Sequence, residues 1–304
     1  MSRSLISQFE WVTGALVNAE LISNARIGHY MPCIDMKRKV SIVEFLRLNP
    51  VFSLDKAAAA FSEAEHRSRT VERLKHYLET GRLTRPVREV YAVPPPGVSP
   101  DQFHPDPILV ATATRPDAVF SHHTALELLG VAHSVWNQCS AYTDTPRRPF
   151  TLDGTKVLFL QPHKAFRGSN QKHLGTRRVE RSGQTVETTG PERTIVDSFR
   201  RPALAGGLEE LVTSAGGFST LDLKLLEKVL TIYDTANLWA ATGWFLERFA
   251  PTFHVPDSTL ARFERHRPRS PQYLDRGTRG GVLARRWNLI LPQTTAGQGE
   301  PDER

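Results

Sequence analysis

Cysteine is almost absent from this chain: Cys33 and Cys139 are the only two, and neither lies in a CxxC spacing. That excludes a disulfide framework and the common zinc and thiol-redox motifs, and a reducing cytoplasm is the simplest setting. Long apolar runs are missing too, since nothing approaches the roughly 18 consecutive apolar residues of a membrane span. The short run from Trp11 to Val17 follows Glu10 and has only Arg3 for positive charge, so it does not read as a signal peptide.

Catalytic signatures are equally scarce. The chain has no P-loop, no GxSxG, no HExxH, no Cys/His nucleophile context and no G-S-x-D-x-D pair. Gly168-Ser169 is followed by Asn170 and Gln171, without carboxylates. Asp222-Leu223-Lys224 is half of a nuclease motif with no companion nearby. His122 and His123 are adjacent, so on a helix they point about 100° apart and do not share one metal easily. No cofactor and no metal is expected, and the pattern reads as a binder rather than an enzyme.

What is present is an ordinary globular composition over 304 residues, with 39% hydrophobic and 23% charged residues. That length suits two domains of roughly 100 to 200 residues each. The net charge of +7 favours a polyanionic partner. It is distributed unevenly: the segments 37–91, 145–181 and 262–286 are strongly basic, whereas 190–260 is mildly acidic. The two later basic segments extend a phosphate footprint, face an acidic protein partner or simply solubilise the surface; the residues leave these open.

Residues 53–93 carry the clearest pattern. Before them, Ile42, Phe45, Leu46 and Leu48 recur near helical spacing until Pro50. Ser53 suits an N-cap for a small helix that packs Ala57, Ala58 and Phe61 inward. A third helix places Val71, Leu74 and Leu78 on one stripe, which turns Arg69, Arg73 and His76 outward. Its start is ambiguous between a Ser62–Glu65 capping box and a cap at Ser68. Gly81 closes that helix, and Arg82 to Val93 alternates around Pro86 like a hairpin.

This order is that of a winged helix-turn-helix. The expected contacts to double-stranded DNA are Ser68, Arg69, Thr70, Arg73 and His76 on the helix, with Arg85 and Arg88 on the wing. Arginine donates two hydrogen bonds to guanine O6 and N7, which is why this residue type at one-turn spacing reads as base recognition.

Six prolines between 94 and 107 then predict a stiff linker and a domain boundary. Residues 1–36 read as a loosely structured extension or an overcalled start, and the tail 293–304 as disordered. Within 108–292 the expected helices are Ile108 to Thr114, Ser121 to Leu129 capped by Ser121, one opening at Thr189-Gly190-Pro191-Glu192 as a capping box, and three across 206–249. Strands are expected at Cys139 to Thr143, Lys156 to Gln161, Thr176 to Glu180 and Gln184 to Glu187. Arg193 and Asp197 stand at i, i+4, the spacing of a structural ion pair. The fold class is therefore α+β: an N-terminal winged helix-turn-helix at 37–93 and a mixed α/β domain at 108–292.

Taken in order, the segments EVYAV, SHHTALELLGV, YTDTPRR, KVLFLQPH, TGPERTIVDSF and YLDRGTRGGVLARRWNLILP resemble the AbiEi-type antitoxins of type IV toxin-antitoxin systems, over about residues 38 to 292. The resemblance implies a winged module that represses its own operon, an antitoxin domain, and a nucleotidyltransferase-like toxin as partner, with direct contact left open. It places the DNA-reading role on Ser68 to His76 and the wing, and a structural role on Pro191, Glu192, Arg193, Thr194 and Asp197. One departure is Glu89, where the family pattern has glycine; a negative residue with a Cβ narrows the turn and opposes phosphate contact at the wing tip. One winged module covers one half-site, so repression of inverted repeats requires a dimer or cooperative binding. The other readings are a stand-alone regulator whose second domain senses a ligand or protein, and a protein-binding module in which the winged part is structural.

Overall fold

A computed structural model describes residues 41–63, 66–167, 171–275 and 280–296, which all lie in one compact unit. The expectations for residues 1–36 and for the tail beyond 296 lie outside the described residues, whereas Gln293–Ala296, expected to be disordered, form a short helix. The fold is mixed α+β.

The first part runs α1 (Ile42–Leu48), β1 (Val51–Ser53), α2 (Leu54–Ala60), α3 (Arg67–Glu79), β2 (Thr84–Val87) and β3 (Val90–Ala92). Ser41 and Ser53 cap α1 and α2, each hydroxyl accepting a backbone N–H three residues on. Gly81, at φ 69°, supplies the left-handed residue after α3, and an added Cβ there would meet Pro100 Cγ at 2.9 Å. The three strands form one antiparallel sheet in the order β1-β3-β2, with Pro86 on the outer strand where its missing N–H costs no ladder bond.

Alternation along β1 and β3 decides what this sheet packs against. Phe52 and Tyr91 are register partners stacked at 5.7 Å, and they join Phe45, Phe61 and Leu74 in the core beneath the three helices. Val51, Val90 and Ala92 face the other way and share a second core with Ile108, Leu109 and Val110 of α4 (Pro107–Thr114). The Gln184 side-chain amide also donates to the Val51 carbonyl at 2.7 Å. The proline-rich segment 94–107 is thus not a free spacer: the parts it joins share a core, and Pro100 lies against the end of α3.

The second part continues with β4 (Val119–Phe120), α5 (His123–Leu128), β5 (Gln138–Tyr142), β6 (Phe150–Leu152), β7 (Thr155–Leu160), β8 (Thr176–Arg181) and β9 (Gln184–Thr189). These strands form a six-stranded mixed sheet in the order β6-β7-β5-β4-β9-β8. Helices follow: α6 (Pro191–Arg200), α7 (Leu208–Gly216), α8 (Leu223–Tyr233), α9 (Ala236–Arg248), α10 (Ala250–Phe253) and α11 (Asp257–Arg265). A small sheet of β10 (Gln272–Tyr273), β11 (Val282–Ala284) and β12 (Leu289–Leu291) closes on α9, where Trp287 fills the space left by Gly243. Among the described residues no helix is long and apolar enough to cross a membrane.

Three expected caps differ. Helix α3 begins at Arg67 after His66, with no side-chain cap; Ser62 lies outside it at φ 58° and Ser68 lies inside it. Helix α5 begins after His122, not Ser121: the Ser121 hydroxyl pairs with His122 Nδ1 at 2.9 Å, while the Ser121 carbonyl accepts from the Ser140 hydroxyl. Gly190 caps α6, since Thr189 Oγ1 pairs with Thr194 Oγ1 at 2.7 Å while Glu192 accepts the Asp222 N–H at 2.8 Å.

Candidate nucleic-acid interface

Burial on α3 fixes which residues it presents. Its inward stripe is Thr70 and Leu74, both fully buried, continued by the half-buried Tyr77 and Leu78. Val71, expected in the core, is 40% exposed instead. The stripe keeps Leu74 and Leu78 but exchanges Val71 for Thr70 and Tyr77, so its centre is rotated by about 50° from the Val71-Leu74-Leu78 expectation. Thr70, expected among the DNA contacts, is instead fully buried, and its hydroxyl donates to Glu63 Oε2 at 2.9 Å, tying α3 to the turn before it.

Ser68, Arg69, Glu72, Arg73, Lys75 and His76 are exposed on the outer face. At about 100° per residue, Glu72 lies near its middle, Arg69 and Arg73 on one flank and Lys75 on the other. Arg73 is engaged: its guanidinium bonds Glu63 Oε1 at 2.8 Å and sits 4.9 Å from the Phe61 ring centre. Arg69 and Lys75 have no acidic partner among the described residues. Lys75 and Glu72 escaped the sequence reading, yet both follow from the same helical wheel once Thr70 is counted as inward. A carboxylate among the cations is chemically apt for the amino group of cytosine, a contact that the arginines do not make.

The hairpin completes the surface. Arg85 and Arg88 are exposed, as is Arg82 just after α3. Glu89 forms the turn at φ 63°, a left-handed conformation that favours glycine. Its carboxylate does not stand free, because Arg67 reaches Glu89 at 3.2 Å and Asp55 at 3.1 Å. The structure thus brings together Ser68, Arg69, Arg73, His76, Arg85 and Arg88 as exposed groups of one small module.

The second set that the sequence singles out is buried. Arg193 and Asp197 pair at 3.6 Å with their side chains almost wholly enclosed. The Arg193 guanidinium also donates to the carbonyls of Lys172 and Leu174 and lies 4.2 Å from the Phe166 ring centre. Asp197 accepts from the Tyr233 hydroxyl. Burial raises the Asp197 pKa, against the pull of Arg193, and drives the Tyr142 and Tyr233 hydroxyls well above their usual value. His122 nearby is lowered to about 3, chiefly by burial and secondarily by Arg201 and Arg200. The side chains of Arg193, Asp197, Tyr142, Tyr233 and His122 are all buried, so they offer no surface to a partner. Among the described residues, no group of His, Cys, Asp or Glu is arranged to hold a metal ion.

No protein-family profile matches the chain, and no curated protein matches it. A solved structure does: the RV2827C protein from Mycobacterium tuberculosis, at a TM-score of 0.54 and 18% identity, over 82% of this chain and 89% of that chain. At that identity the likeness concerns the fold.

Proposed function

We propose that this protein binds double-stranded DNA through α3 and the β2–β3 hairpin, and that it does so as an AbiEi-type antitoxin repressing its own operon. The observation that carries the DNA reading is the exposure of Arg69, Lys75, His76, Arg85 and Arg88 on one module, without acidic partners among the described residues. The element order of helix, strand, two helices and hairpin supports it, since this is how a winged module lays one helix along a groove. On this reading Arg69 and Lys75 flank the groove, Ser68 and His76 supply base or phosphate contacts, and the hairpin arginines grip the backbone.

The antitoxin half rests on the family resemblance and names two partners: the operator upstream of its own gene and a nucleotidyltransferase-like toxin. A gel-shift titration against the upstream region tests the first half, with preference over scrambled DNA and steep salt dependence expected. Equal affinity for scrambled DNA would overturn the repressor reading. Co-expression with the neighbouring gene tests the second, with rescue of growth expected; a neighbour without the G-S-x-D-x-D pair would favour a stand-alone regulator.

A further inference from the structure

A cavity of about 420 Å³ lies between the start of α4, the end of β8 and the loop 131–137. That volume falls in the range of small-molecule sites, roughly 300–1,000 Å³. Pro107, Ile108 and Trp136 form its apolar wall, and Trp136 keeps 39% of its surface exposed while leaning on His123 at 5.9 Å.

The charged groups on the lining are Asp106, Glu127 and Arg181. Arg181 bonds both carboxylates, at 2.6 Å to Asp106 and 3.2 Å to Glu127, so one guanidinium serves two acids and the cavity is left with one net negative charge. Asp106 is further occupied in capping α4, where it accepts the Ile108 N–H at 2.8 Å. Glu127, 43% exposed, is the carboxylate with capacity to spare. A negative cavity in a chain of net charge +7 does not belong to a phosphate-binding surface.

We infer that this cavity binds a small organic cation with a flat apolar body, of the protonated aromatic amine class. The ring lies against Trp136 and Ile108, and the ammonium answers the spare charge at Glu127, with the indole face adding a cation–π contribution. A neutral ring would leave that charge unanswered, and an anion would be repelled by it. The site is independent of the DNA reading, although Ile108 belongs to the core that α4 shares with β1 and β3.

Calorimetric titration of the full chain with phenethylamine at neutral pH, without DNA, tests this. Saturable one-site binding is expected, weaker by about tenfold or more for phenethyl alcohol and absent for hydrocinnamate. Glu127→Gln should lower the amine's affinity by a similar factor and leave the alcohol's unchanged, whereas Trp136→Ala should weaken both. No saturable heat with the amine, equal binding of the carboxylate, or an amine affinity indifferent to Glu127→Gln overturns the proposal. Should Glu127→Gln fail to fold, the comparison of amine with alcohol on the unaltered protein decides alone.

Discussion

Glu89 at the tip of the β2–β3 turn and Arg67 at the start of α3 lie 3.2 Å apart, so the hairpin is fastened to the helix it flanks. The pair reconciles two opposing demands at one position. The backbone there, at φ 63°, favours glycine, and the side chain earns its place through the ion pair.

Replacing Glu89 with glycine separates these contributions. A left-handed non-glycine residue costs about 1–2 kcal/mol, and a half-exposed ion pair returns about 0–1 kcal/mol. Glu89→Gly is therefore expected to raise stability slightly in urea unfolding. On the DNA reading it also raises operator affinity, because a carboxylate leaves the surface and Arg67 is released; weaker binding in a gel shift would count against the hairpin as a backbone contact.

Arg69 and Arg73 should behave differently although both are exposed. Arg69→Ala is expected to lower DNA affinity while leaving stability within about 0.5 kcal/mol, since its exposed side chain has no ion pair among the described residues. Arg73→Ala removes the Glu63 bond and the stacking on Phe61, so about 0.5–1 kcal/mol of stability goes as well. Paired gel-shift and unfolding curves read the two effects; unchanged DNA affinity in Arg69→Ala would favour a structural role for the module.

Thr70→Val tests the corrected orientation of α3. It leaves the partly enclosed Glu63 without its hydroxyl donor and should cost about 1–3 kcal/mol, while Thr70→Ser should recover most of it. A neutral Thr70→Val in urea unfolding would mean that the hydroxyl contributes nothing.

Acid should destabilise the protein through His122. Its folded pKa of about 3 lies below the ordinary 6.5, so the unfolded chain takes up a proton that the folded chain refuses. The stabilisation is complete above pH 6.5 and lost as pH falls toward about 3, with a slope of up to about 1.4 kcal/mol per pH unit. His122→Asn, which removes the imidazole, should flatten that part of the curve; an identical slope in the variant would assign the acid response elsewhere.

Breaking the buried pair is the largest expected loss. Asp197→Asn leaves Arg193 enclosed without its counter-charge, at a cost of about 3–5 kcal/mol. Thermal unfolding should show it directly, with DNA affinity per folded molecule unchanged.

Local signals carried much of the fold. The Ser53 cap, the left-handed Gly81, α4 and the helices α6 to α9 are all written in short stretches of chain. What escaped depends on distant partners. Thr70 reads as polar and outward until Glu63 is seen to meet it, and Val71 reads as core although it stays 40% exposed. Ser121 has the chemistry of a cap but gives its hydroxyl to His122. The prolines before α4 announce an extended segment, yet no local pattern tells that Val51, Val90 and Ala92 cross it to pack on Ile108. Strands as short as β4 and β10 hold too few residues to show alternation. The exposed arginines of α3 and the hairpin were legible as types, whereas their availability was not: Arg73 is held by Glu63, and Lys75 was passed over.

The shared core between β1, β3 and α4, with Gln184 on the Val51 carbonyl, has a geometric consequence. A module on a flexible tether adapts its pitch to whatever duplex it meets. Here the angle of α3 is dictated by the six-stranded sheet behind it. On the DNA reading, two copies that also hold to each other can then serve only half-sites whose separation and helical phase match the span between their α3 helices. Inserting half a turn of DNA, about five base pairs, between the half-sites should abolish cooperative repression, and lengthening the proline segment should not restore it.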